Sequence, residues 1–138
     1  MSTATRVSRA DYQRTLHRAA DLVRKADTNG DGSVGHFELL DSAAYRKAPR
    51  AAQDAAERLF VLASNTGSTR GATEEKLASA VRSVSSKTFL DTFDSQGDGF
   101  SKSEIRRMRN ARRDDTTDAG DVGAAVAVWA QHLASSRR

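Results

Sequence analysis

Apolar residues recur three and four positions apart along most of this chain, the spacing of helices that each bury one face. Tyr12, Leu16, Ala19, Leu22, Val23 and Ala26 form the first stripe. After a polar interval rich in glycine, Phe37, Leu40, Ala44 and Tyr45 resume at helical period. Ala48-Pro49 marks a boundary, because proline suits the first turn of a new helix, and Ala52, Ala55, Ala56, Leu59, Phe60 and Ala63 line that helix. The polar stretch 64–71 ends it. Thr73 is expected to cap a fourth helix, with Glu74 and Glu75 favoured by the helix dipole and Leu77, Val81 and Val84 facing inward. Phe89, Leu90 and Phe93 close another stripe. Val122, Ala125, Val126, Trp129 and Leu133 share one face of a final helix, where Trp129 belongs to the core. With abundant alanine and few aromatics, the pattern predicts an all-α fold in one domain spanning 1–138.

The interval after the first stripe carries chemistry. Over the twelve residues 27–38, oxygen-bearing side chains stand at loop positions one, three and five: Asp27, Asn29 and Asp31. Gly32 at position six permits a sharp turn with positive φ. Ser33 at position seven lends its backbone carbonyl, and Glu38 at position twelve can give both carboxylate oxygens. Gly35 at position nine has no side chain, so a water fills that slot. Ca²⁺ takes six to eight oxygens at roughly 2.3–2.6 Å, and this spacing supplies them. Dockerin modules and extended calcium-binding repeats share such loops but lack an entering helix; the Tyr12–Ala26 stripe supplies one here. The segment 8–48 therefore resembles an intact EF-hand, helix, loop and helix.

A second unit, 50–84, resembles a hand that has lost its ion. Its loop would begin at Ser64 and offer Ser64, Thr66 and Ser68, with Arg70 intruding and Glu75 or Lys76 last. Neutral hydroxyls do not offset the cost of stripping water from a doubly charged ion, so this loop is expected to back the first one structurally. A third unit, 86–113, supplies Asp94, Gln96, Asp98 and Gly99 at positions one, three, five and six. Counted as twelve residues, the loop ends on Ile105, which cannot bind a cation; counted with one residue deleted, it ends on Glu104. The shorter count makes Phe100 the buried residue, and Ser101-Lys102-Ser103-Glu104 reads as a capping box. An eleven-residue loop with neutral Gln96 implies weaker binding than in the first loop. In 114–138, Asp115 could open a fourth loop, but Val126 would take its last ligand position, leaving an extra C-terminal helix and a vestigial fourth hand at most. That helix is expected to pack on the third hand and cover what a missing partner leaves open.

The chain has no cysteine, so disulfides and thiolate metal sites are excluded. No apolar run resembles a signal peptide, and none approaches the ~18 residues that span a bilayer; the expectation is a cytoplasmic protein with no membrane span. Net charge is +4, and Arg106, Arg107, Arg109, Arg112 and Arg113 crowd the helix leaving the third loop. They read either as a solvated face, with Asp114 and Asp115 as counter-charges, or as a patch for a polyanion or an acidic protein. No aromatics interleave with them, which argues against nucleic acid. The basic charge and only two methionines argue against a sensor that grips basic helices. His17, His36 and His132 form no HExxH pair or nucleophile–base set, and no glycine loop cradles phosphate; the chain is not read as an enzyme. His132, beside the Trp129 face, is expected half-buried.

One intact hand, one degenerate hand and a third in a small cysteine-free chain resemble the prokaryotic calerythrin-like EF-hand proteins, over most of 12–105 and most strongly at 27–38. The resemblance implies a compact helical protein acting as an intracellular Ca²⁺ buffer or sensor, with Mg²⁺ as competitor. Carried over by position, the ligands are Asp27, Asn29, Asp31, Ser33 and Glu38, with Asp94, Gln96, Asp98 and Glu104 in the weaker loop. The alternative is an interaction scaffold with structural Ca²⁺ that docks an acidic partner or polyanion through the arginine-rich helix 106–113.

Overall fold

The computed structural model describes residues 7–27, 30, 32–64, 72–94, 99–110 and 119–136, and these form an all-α fold. Helix α1 (Arg9–Arg24) is capped by Ser8, whose side chain accepts the Asp11 N–H, and it buries Tyr12, Leu16, Ala19 and Val23. The two-residue strand β1 (Ser33–Val34) leads into α2 (His36–Asp41) and α3 (Ala43–Lys47). Helix α4 (Arg50–Ser64) follows Pro49, whose carbonyl accepts the Gln53 N–H at 2.9 Å. Strand β2 (Ala72–Thr73) precedes α5 (Glu74–Ser85), and Thr73 caps it through the Lys76 N–H at 3.2 Å. Helices α6 (Lys87–Phe93), α7 (Lys102–Asn110) and α8 (Ala119–Ser136) complete the order.

The segment after β1 departs from the expected single helix. Ser42 is extended (φ −63°, ψ 132°) and its hydroxyl accepts the Tyr45 N–H, so α2 ends and α3 begins on a new phase. Leu39 and Tyr45 therefore face the core, while Phe37 stands 79% exposed and Leu40 only partly buried. A serine of the same geometry, Ser86 (φ −66°, ψ 154°), separates α5 from α6 and caps the latter. Both breaks use a short hydroxyl side chain that competes for backbone donors.

Helix α8 does more than cover one hand. Val122, Ala124, Ala125, Val126, Ala127, Trp129 and Ala130 are all buried, so most of its circumference is enclosed, and it packs against α4, α7, α1 and α5. Its sequence anticipates this in one respect: no charged residue lies between Asp121 and His132, a hallmark of a helix buried all round. Small residues let neighbours approach. A Cβ on Gly123 would meet Phe89 of α6 at 2.8 Å and the Tyr12 hydroxyl of α1 at 3.3 Å. The buried apolar residues form a single cluster.

Two short backbone pairings tie the loops together. Strands β1 and β2 pair antiparallel, Ser33 opposite Thr73 and Val34 opposite Ala72. Phe100 pairs instead with Val7, ahead of α1, through hydrogen bonds of 2.9 Å (Val7 N–H to Phe100 carbonyl) and 2.6 Å in return. Thus the strand partner of the third loop comes from the N-terminal segment, in addition to the cover that α8 gives by packing on α7. Phe100 is wholly buried, its ring centroid 5.1 Å from that of Tyr12.

Candidate metal centre

Helix α1 runs out into the first loop through short turns: the N–H groups of Ala26 and Asp27 donate to Val23 and Arg24, each at 3.1 Å. Gly30 (φ 70°) and Gly32 (φ 83°) take left-handed backbone conformations, which bend the chain back toward Asp27. One oxygen of Asp27, Oδ2, accepts the Gly32 N–H at 3.0 Å. The other, Oδ1, is buried and has no hydrogen-bond partner among the described residues. A carboxylate oxygen kept from water without a donor costs about 1–3 kcal/mol or more, and a cation removes that cost. At the far end, Glu38 Oε1 accepts the Gly35 N–H at 2.9 Å, holding the carboxylate at the start of α2. Ser33 lies between them in β1. Asn29 and Asp31 lie outside the described residues. Among the described residues no three acidic or histidine side chains converge to hold an ion. Two of the four side-chain ligands expected from the sequence belong to the undescribed positions, and Ser33 is expected to contribute its carbonyl.

Backing this loop is a small pocket of about 120 Å³, whose walls include Asp27, Gly32, Val34, Ala72, Thr73 and Glu74. Strand β2 thus places the second unit directly behind the first loop. Arg24 does not enter the loop; its Nε bonds both oxygens of Glu74, at 3.0 and 3.1 Å, and one terminal nitrogen bonds Asp21 at 2.9 Å. Glu74 and Asp21 hold the Arg24 guanidinium above its ordinary pKa. Of the second loop, Ser64 ends α4, while Thr66, Ser68 and Arg70 lie outside the described residues. Glu75 and Lys76 belong to the first turn of α5.

The third loop repeats the turn with one residue fewer. The Gly99 N–H (φ 102°) donates to Asp94 Oδ2 at 2.9 Å, matching Gly32 and Asp27. The Ser101 N–H donates to Glu104 Oε1 at 2.8 Å, matching Gly35 and Glu38, and the Glu104 N–H returns a bond to Ser101 Oγ at 3.3 Å. Phe100 takes the buried, paired position that Val34 takes in the first loop. Counted this way, the missing residue is the counterpart of Ser33, and with it a carbonyl ligand. Gln96 and Asp98 lie outside the described residues.

Asp94 differs sharply from Asp27. Its side chain is wholly buried, and Arg9 reaches it from the first turn of α1: Nε donates to Asp94 Oδ2 at 2.7 Å and Nη2 to the Asp94 carbonyl at 3.0 Å. The same Nη2 donates to Asp91 Oδ1 at 2.7 Å, and Lys87 Nζ bonds the other Asp91 oxygen at 2.8 Å. Lys87 first, then Arg9, hold the Asp91 carboxyl below its ordinary value. Bonds to Asp94 and Asp91 raise the Arg9 guanidinium further. Sequence reasoning missed Val7 and Arg9. The only local signal was an apolar residue followed by a Ser8 cap, and the partners lie more than eighty positions away.

Elsewhere, Arg106 and Arg107 are exposed on α7, while its Ile105 and Met108 are buried; Arg112 and Arg113, like Asp114 and Asp115, lie outside the described residues. Arg107 stands 6.0 Å from the Phe93 ring centre. His17 and His36 are exposed, and so is His132, which the sequence placed half-buried; on α8 its position falls past the enclosed turns. His36 stacks on Phe60 with centroids 5.7 Å apart. No helix among the described residues is long and apolar enough to cross a membrane. No protein-family model matches this chain, and neither a curated protein nor a solved structure matches it.

Proposed function

We propose that this chain is a non-enzymatic calcium-binding protein, a buffer or sensor of the EF-hand type. The reading rests on one observation above the rest: the first carboxylate of a calcium-type loop keeps a buried oxygen with no donor among the described residues, while its other oxygen is fixed by the turn glycine. Ca²⁺ would be held by Asp27, Asn29 and Asp31, the Ser33 carbonyl and Glu38, with Mg²⁺ as the competing ion. Three carboxylates in such a loop suit a Kd near a micromolar, worth about −8 kcal/mol. When bound, the ion offsets the mutual repulsion of these carboxylates. The chain's own residues do the rest: Gly32 orients Asp27, and Gly35 holds Glu38 at the head of α2. Because Ser33 is paired with Thr73, ordering of the loop is passed to β2 and α5. The loop at 94–104, with Asp94, Gln96, Asp98 and Glu104, is the weaker second site in this proposal.

Calorimetric titration with Ca²⁺ in the presence of Mg²⁺ tests it. One site near micromolar affinity, abolished by Asp27→Ala, is expected; a wild-type chain that gives no heat up to millimolar Ca²⁺ refutes the reading. A sensor should also gain dye-accessible apolar surface on binding, whereas a buffer should not. The exposure of Arg106 and Arg107 favours a second reading, docking of an acidic partner on α7. Retention on an anionic resin that does not fall with salt beyond the effect of net charge alone, or that survives Arg106→Ala/Arg107→Ala, counts against it.

A further inference from the structure

We propose that Arg9 is the resident cation of the third loop: its guanidinium neutralises Asp94 and lowers the affinity of that loop for divalent ions, so that Asp94 and the described residues 99–104 keep their arrangement without metal. This inference rests on the calcium reading of the loops. The two position-one carboxylates provide the argument. Asp27 and Asp94 receive the same glycine N–H on Oδ2, at 3.0 and 2.9 Å. Only Asp94 also carries a guanidinium on that oxygen, at 2.7 Å, and its side chain is wholly buried beneath it. A buried carboxylate demands a positive partner. In the first loop no described side chain supplies one, whereas in the third an arginine does.

The position of Arg9 is not accidental to the fold. Val7 is clamped to Phe100 by two backbone hydrogen bonds, Ser8 caps α1, and Arg9 is the first helical residue. These three residues form a strap laid across the third loop, and the strap delivers the charge. Its contacts are multiple: the carboxylate and carbonyl of Asp94 and the carboxylate of Asp91 all accept from one guanidinium, whose planar fork holds its donors in fixed directions. A divalent ion entering the loop would sit within several ångströms of that charge. At about 6 Å, repulsion between one and two positive charges lowers ion affinity about tenfold even with water-like screening. Loss of the carbonyl that corresponds to Ser33 weakens the loop further.

The test is calcium titration in the Asp27→Ala background, which silences the first loop. Asp27→Ala alone should bind Ca²⁺ only at high concentration, and Asp27→Ala/Arg9→Gln should bind at least about tenfold more tightly, as read by calorimetry and by the Ca²⁺-induced rise in Tm. Adding Asp94→Asn should remove the gain. Equal affinity with and without Arg9 overturns the inference. Should the Asp27→Ala/Arg9→Gln chain not fold in the absence of metal, folding on addition of Ca²⁺, followed by circular dichroism, supports it, because the ion then takes over the role of Arg9; a chain that stays unfolded in Ca²⁺ overturns it. Failure of the calcium reading itself is separate. It shows as a wild-type first loop that binds nothing, whatever the Arg9 variants do.

Discussion

Gly99→Ala isolates how much stability the strap across the third loop contributes. Gly99 has φ +102°, outside the range L-residues adopt readily, and a Cβ there would lie 2.3 Å from the Val7 carbonyl oxygen and 2.9 Å from its carbon. Strain at such a backbone position costs about 1–3 kcal/mol. The clash is with backbone and cannot be relieved by turning a side chain, so Val7 must move and its two hydrogen bonds with Phe100 are broken or stretched. Each contributes about 0.5–1.5 kcal/mol net. The sum is about 2–6 kcal/mol, a large share of the about 5–15 kcal/mol that holds a domain folded. Gly32→Ala is the internal control: φ is +83°, but no described atom lies within 4 Å of the added Cβ, so only the conformational cost of about 1–2 kcal/mol applies. Urea denaturation in the presence of a chelator measures both. If Gly99→Ala loses no more than Gly32→Ala, Val7 does not restrain the third loop and the reasoning fails.

Tyr12→Phe removes a buried hydroxyl that donates to the Val84 carbonyl at 2.7 Å, and should cost about 1–2 kcal/mol in the same denaturation assay. Gly123→Ala should cost about 1–3 kcal/mol by overpacking α8 against Phe89 and Tyr12, and pairing it with Phe89→Leu should recover part of the loss. The folded-state pKa of Asp91 lies below its ordinary 3.8, so its ion pairs stabilise the fold above that value and the contribution is lost as pH falls through the lowered one. Asp91→Asn should therefore weaken the protein at about pH 5 but leave it unchanged at the acid end of a denaturation series; a deficit that persists there would assign the effect to packing. Ca²⁺ at about a thousand times its Kd should stabilise the wild type by about 4 kcal/mol. At this chain length that is a Tm rise of about 10 °C or more by scanning calorimetry, reversed by chelation.

Local features were legible in the sequence because local physics decides them. The α1, α4 and α5 faces, the Thr73 cap and the Ser101–Glu104 box all depend on neighbours within a few positions. The break at Ser42 was concealed because Phe37, Leu40, Ala44 and Tyr45 also satisfy a helical period; one extended residue shifts the phase and exposes Phe37. Long-range pairings carry no periodic signal. Nothing near Val7 or Arg9 announces Phe100 or Asp94, so the cation on the third loop had to come from the fold. For the candidate site, the oxygen spacing of 27–38 is written in the sequence, whereas the Asp27 oxygen that has no donor among the described residues emerges only once the turn closes on it.

The enclosed helix at 119–136 has a consequence for biogenesis. Each helix that leans on it is synthesised before that supporting surface exists, and their alanine-lined faces must wait exposed as the polypeptide emerges. Cooperative assembly is thus deferred until 119–136 has emerged, and a nascent chain halted shortly before position 119 would be a target for chaperones or proteases.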